Sequence, residues 1–157
     1  MSGRYHQAFL MKPSGNANDG ISQPNPLVYL DGSQVVAAAM TTVPVFVANV
    51  DGYSIQFATI AGDTLVGTLT LQASNSRGSG QEQTENPDVT LYDWTTIELY
   101  DFSTGAFAAN KAVASGAATY LIGVPSLYNC ARWVRLVFAF TSGSGHPRVG
   151  FQQKGWA

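Results

Sequence analysis

Two histidines and one cysteine are the first residues to ask about chemistry: His6, His146 and Cys130. A zinc site needs three or four convergent ligands. His6 stands in a polar N-terminal stretch and His146 in a Gly-rich turn beside Pro147; neither has a ligand-type residue three or four positions on. No metal is expected. A cysteine nucleophile needs a histidine within reach and an Asn or Asp to orient it. The run Tyr128-Asn129-Cys130-Ala131 carries no such signature, so Cys130 reads as a small, buried apolar side chain. Among the carboxylates, Asp93, Glu98 and Asp101 lie close in sequence. On one extended strand Asp93 and Glu98 fall on opposite faces and cannot flank a substrate as a pair; Asp93 and Asp101 read as turn acids at strand ends. Gly78-Ser79-Gly80 and Gly143-Ser144-Gly145 lack the Lys-Ser/Thr that follows a phosphate loop. No spacing supports a calcium site on Asp51 or Asp63. No enzyme activity and no cofactor are expected.

Binding chemistry has more candidates. Trp94, Trp133 and Trp156, with Tyr92, Tyr100 and Tyr128, are enough rings for a sugar-stacking platform, although Trp94 and Trp133 read as core. Trp156 is penultimate, where chain is normally loose, so an indole there is expected to bury against a neighbouring subunit. Arg132 and Arg135 lie in the most apolar segment of the chain, where charge has to be paired or placed at an edge. An Arg on the face opposite the core can pair with a carboxylate across an interface. Tyr5, Phe9, Leu10 and Met11 are large apolar residues that also need a surface. These seven residues, Tyr5, Phe9, Leu10, Met11, Arg132, Arg135 and Trp156, form the candidate interface.

The elements that position these groups are strands. Tyr53, Ile55 and Phe57 alternate with Ser54, Gln56 and Ala58; Leu65, Gly67, Leu69 and Leu71 alternate with Val66, Thr68, Thr70 and Gln72. Period two puts one set inward and the other outward. The run 132–140 is the strongest, with Val134, Leu136, Phe138 and Phe140 on one face and Trp133, Arg135 and Val137 on the other. Residues 94–100 (WTTIELY), 118–124 and 148–154 read as further strands, and Pro44 demotes 43–47 to an edge. Residues 34–40 and 112–118 are ambiguous between a helical turn and a strand. Turn signals such as Asp31-Gly32, Asp51-Gly52 and Gly62-Asp63 separate the runs. The expectation is an all-β, antiparallel β-sandwich, jelly-roll-like, over residues 27–157, with a long polar loop at 73–88. Residues 1–26, rich in turn formers and containing Pro13, Pro24 and Pro26, read as an extended N-terminal arm, either a frayed terminus or an arm that orders on a neighbouring subunit.

Composition narrows the role. The chain has 157 residues, one domain's worth, and is 45% apolar. Only 11% of residues are charged, against about 25% in an ordinary domain, so the surface is built from neutral polar groups. A net charge of -2 gives no basic footprint for nucleic acid, and no apolar run is long enough for a membrane helix. One cysteine allows no internal disulfide. The N-terminal MSGRYHQ lacks the parts of a signal peptide.

Six ordered segments carry a resemblance. Gly52-x-Ser54-Ile55-Gln56 is followed by Gly62, Gly67, Leu69, Leu71, Gln72, Ala73 and Ser74, then by Trp94-Thr95-x-Ile97. Arg132–Phe138 then precedes Thr141–Gly145 and a short strand ending at Lys154-Gly155. Over residues 50–157 the chain resembles small β-sandwich virion structural proteins of tailed bacteriophages. The 73–88 insertion departs from their compact strand-turn-strand pattern. The resemblance implies a capsid decoration or cement subunit that binds the major capsid protein lattice or another virion protein and stabilises the head. A homo-oligomer, dimer or trimer, made in the host cytoplasm and carried on the virion, is expected. The alternative is a tail, collar or head-surface knob that binds a host receptor or carbohydrate.

Overall fold

The structure is a computed structural model that describes residues 4–14, 29–75 and 93–156, the side chains of 4–7 and 155–156 excepted. Its strands are β1 (Arg4–Leu10), β2 (Met40–Thr41), β3 (Val45–Phe46), β4 (Val50–Thr59), β5 (Val66–Ser74), β6 (Thr95–Ile97), β7 (Leu99–Asp101), β8 (Ala106–Ala108), β9 (Lys111–Val113), β10 (Ala118–Val124), β11 (Trp133–Ser142) and β12 (Arg148–Trp156). All strand pairs are antiparallel, and no helix occurs among the described residues.

Sheet I runs β1-β12-β4-β10-β7-β8, and sheet II runs β2-β11-β5-β6. β3 joins β2 along one edge of β11, and β9 joins β6 along the outer edge of β5. With β2/β3 and β6/β9 each counted as one edge, the chain visits β1, β12, β4 and β10 in one sheet and β2/β3, β11, β5 and β6/β9 in the other. That interleaving is the double Greek key of a jelly roll. The β7–β8 hairpin extends sheet I beyond it.

The alternation read from sequence forms the core. Ile55 and Phe57 of β4, Leu69 and Leu71 of β5, Leu136 and Phe138 of β11 and Phe151 of β12 are buried between the sheets. The rings of Phe57 and Phe138 stack across the sandwich at 5.8 Å. Residues 34–40 form no helix: Val36 bridges Gly145, and Met40 opens β2. Residues 111–113 form β9.

Two expectations are corrected. First, residues 4–10 of the expected arm are a strand of the sandwich, paired along β12 from Arg4↔Trp156 to Leu10↔Gly150. The prolines drew the reading outward, but Pro13 lies beyond the strand, where the chain turns to sheet II. There Pro13 bridges Thr42, and the Val43 amide donates to the Lys12 carbonyl. Second, 94–100 is not one strand. It breaks at Glu98, with β6 in sheet II and β7 in sheet I. The crossing removes the single pleat on which Asp93 and Glu98 were compared. The expected 73–88 loop starts later, because β5 continues through Ser74; residues 76–88 lie outside the described residues.

Candidate functional site

The chemically capable side chains are tied into turns. Asp63 is buried, and its carboxylate accepts from the amides of Ile60 and His146, both at 3.0 Å, while the other oxygen lies 3.1 Å from His146 Nδ1. Burial raises the Asp63 pKa, but the hydrogen bonds from His146 and Ile60 outweigh it and hold the carboxyl below its ordinary value. The pair pins the β4–β5 turn to the loop before β12. The His6 side chain is outside the described part. Among the described residues no group of three or more His, Cys, Asp or Glu is placed to hold a metal ion, and no helix is long and apolar enough to cross a membrane. Cys130 is exposed, which corrects its reading as a buried residue. It belongs to the 125–132 connection rather than to a strand, so no pleat turns it inward.

Asp101 organises the β7–β8 hairpin. Its Oδ1 accepts from the Ser103 amide at 2.9 Å and from the Ser103 hydroxyl at 2.6 Å, and Lys111 Nζ reaches Oδ2 at 2.6 Å. The Lys111 bond, then the Ser103 hydroxyl, hold the carboxyl at about 2, below its ordinary 3.8. A folded pKa below the unfolded one means that the stabilisation is complete above about pH 4 and is lost as pH falls toward about 2. Lys111→Met is expected to lower stability at pH 7 by no more than about 1 kcal/mol. Thermal melts of both proteins from pH 7 to pH 2 check this: the gap should close below pH 4.

The candidate interface divides. Met11 is 2% exposed and belongs to the core, and Phe9 stacks on Phe151 at 5.1 Å. Both serve this chain's own sandwich, which corrects their assignment to a partner contact. Leu10 lies on the opposite face of β1 and is half-buried. Arg135 is on the outer face of sheet II, as the alternation required, but its partners are within the chain. Its Nε donates to Gln72 at 2.8 Å, and its guanidinium lies 4.2 Å from the centre of the Trp94 ring. Burial lowers its pKa. The Arg132 amide donates to Asn75. Trp133 is buried at 2% exposure, in keeping with its reading as core, with its ring edge-on to Phe46 at 5.1 Å. Trp94 is only half-buried, against Arg135, which corrects its reading as core. β1 and β12 carry the backbones of Tyr5 and Trp156; their side chains, and Tyr92, lie outside the described residues.

What the fold assembles instead is the outer face of sheet I. The ladders align two rows across its strands. One is Leu10, Gly150, Gln56 and Leu121; the other is Ala8, Gln152, Ser54, Gly123, Tyr100 and Phe107. Aromatic rings wall one side. Tyr100 meets Phe102 at 5.0 Å and Phe107 at 5.2 Å, and Phe107 meets Tyr128 at 5.5 Å. Phe102, Phe107 and Leu121 are 39%, 42% and 39% exposed. Two adjoining depressions of about 330 and 390 Å³ both use Ser54, Leu121 and Gln152. Arg148 lines one and Lys154 the other, and no carboxylate lines either. Sequence reading singled out Tyr100 and Tyr128 but missed Phe102, Phe107 and Leu121. Phe102 and Phe107 fall in the 101–111 stretch, where no strand was read, and Leu121 lies on the outward face of the 118–124 run.

No protein-family model matches the chain, and no curated protein matches it. Among solved structures, the SPBc2 prophage-derived protein YomS aligns with 99% of this chain and 97% of its own, at 8% identity and a TM-score of 0.52. The K1 cleaved adhesin domain of Lys-gingipain from Porphyromonas gingivalis W83 aligns at 10% identity over 100% of this chain and 98% of its own, with a TM-score of only 0.30. The likeness to the prophage-derived protein extends over the whole β-sandwich and is a likeness of fold.

Proposed function

We propose that the chain is a structural protein of a bacteriophage virion, a decoration subunit that binds the major capsid protein lattice and stabilises the head. The observation that carries this reading is the end-to-end likeness of fold to a prophage-derived protein, over 99% of this chain and 97% of the other. A jelly roll is an architecture that capsids use repeatedly, because closed double sheets present broad rigid faces for symmetric packing. The low charge supports the reading too. Copies crowded on a particle repel one another little when only 11% of residues are charged and the net charge is -2. The partner is the major capsid protein or another virion protein, and self-association as a dimer or trimer adds contact area at each site.

The test is a comparison of purified heads of the phage that encodes this chain, with and without the protein. Heads that lack it are expected to release DNA at lower temperature and at a milder dilution of salt. Equal resistance of both preparations would refute the cementing role. Copy number from a quantified gel locates it: hundreds of copies per particle fit decoration, and about a dozen or fewer contradict it.

A further inference from the structure

The outer face of sheet I combines three features that a bare solvent face does not need. Its floor combines two glutamines and a serine, Gln56, Gln152 and Ser54, with the exposed Leu121 beside Gln56 and Gly150 in the same ladder. Its wall is the cluster Tyr100, Phe102 and Phe107. Its cations, Arg148 and Lys154, stand six residues apart on β12, about 20 Å along an extended strand. Among the described residues, Asp31 is an acid that feels the charge of Arg148.

Each possible occupant asks for different chemistry. An added peptide strand needs an unpaired sheet edge, but β12, β4 and β10 are paired on both sides. A protein interface of ordinary type wants a desolvated apolar centre, whereas here the one central leucine, Leu121, is set among the amides and hydroxyl of Gln56, Gln152 and Ser54. Side-chain amides that both donate and accept suit a ligand dense in hydroxyl groups. Exposed rings suit a ligand that also has apolar C–H faces. A sugar chain has both. Five strand spacings separate Ala8 from Phe107, about 24 Å, room for several sugar units rather than one. Two cations without a lining carboxylate favour negative charge on that chain.

We propose that the outer face of sheet I binds an anionic polysaccharide. The chain lies across the strands from the Tyr100–Phe107 wall over Ser54 and Gln152, with its acidic groups toward Lys154 and Arg148. The assignment goes beyond the proposed virion role and does not depend on it, since binding is read on the isolated protein and cementing on heads.

Gly150 supplies a clean test. A Cβ built there meets nothing within 4 Å, so the backbone accepts a side chain at this position, and Gly150→Trp fills the floor of the face with an indole. The full chain is titrated calorimetrically with hexagalacturonate and with a hyaluronan hexasaccharide, against maltohexaose as neutral sugar and polyglutamate as an anion that is not a sugar. The expected result is saturable binding of at least one acidic hexasaccharide, weakened about tenfold or more by Gly150→Trp with an unchanged melting temperature. Gln152→Ala, on an exposed side chain, should weaken it as well, and Arg148→Gln with Lys154→Gln should remove most of its salt dependence. Four results would overturn the proposal. They are binding of neither acidic hexasaccharide, equal binding of maltohexaose, equal binding of polyglutamate, and full binding by both Gly150→Trp and Gln152→Ala. A crystal soak that places the sugar elsewhere on the chain would overturn it too.

Discussion

Removing residues 1–14 is expected to destroy the cooperative fold of this domain rather than merely detach it from a partner. The segment contributes a whole strand to sheet I through seven paired positions on β12. It also carries Met11 into the core at 2% exposure and stacks Phe9 on Phe151. Beyond β1 it crosses between the sheets. The Met11 amide donates to Val149 at 2.9 Å, the Met11 carbonyl accepts from Leu30 at 2.8 Å, and the Ser14 amide donates to Thr41 at 2.7 Å. Truncation of a buried Met to Ala alone costs about 2–5 kcal/mol. Loss of the strand and the ring stack adds to this, and a domain of this size has only about 5–15 kcal/mol in hand. Met11→Ala is the graded form of the experiment and should lower the unfolding free energy by about 2–5 kcal/mol in a urea titration. A truncated chain that unfolds cooperatively at the full-length urea midpoint would show that β1 contributes nothing to the sandwich.

This segment shows where sequence reading succeeds and where it stops. The long central strands were legible because period-two alternation is forced wherever one face is buried: Ile55 and Phe57, Leu69 and Leu71, and Leu136 and Phe138 all point inward as their spacing requires. The first strand was not. RYHQAFL alternates weakly, and the prolines that follow it dominate the local signal, although Pro13 marks only the turn toward sheet II. The Trp94–Tyr100 run failed for another reason: propensity sees β-structure on both sides of Glu98 but cannot see a change of sheet. Arg135 was placed on the correct face, yet its partners, Gln72 and Trp94, are set by register and by a loop return that no local pattern encodes. The outer face of sheet I has the same origin. Gln56, Gln152, Leu121 and Phe107 come from four strands spread over nearly a hundred residues, and only the ladders make them neighbours.

Phe138 is the residue at which the two halves of the sandwich depend most directly on each other. It is fully buried, stacks on Phe57 of the opposite sheet at 5.8 Å, and lies in its own sheet between Met40 and Leu69. Phe138→Ala is expected to cost about 3–5 kcal/mol, because a core squeezed between two hydrogen-bonded sheets cannot collapse into the cavity. Phe138→Leu should cost less, about 1–2 kcal/mol, since most of the volume is kept. Gly67 on β5 makes the packing specific. A Cβ at that position would press on the Phe138 ring and on the Ala139 carbonyl oxygen. Gly67→Ala should therefore cost about 1–3 kcal/mol by itself. In a Phe138→Ala background the ring is gone but the carbonyl remains, so the cost of Gly67→Ala should fall without vanishing. A double-mutant cycle in urea then yields a coupling of about 0.5–3 kcal/mol. Strict additivity would mean that the ring does not rest on Gly67 in solution, and that the sheets are held together by the rest of the core without this contact.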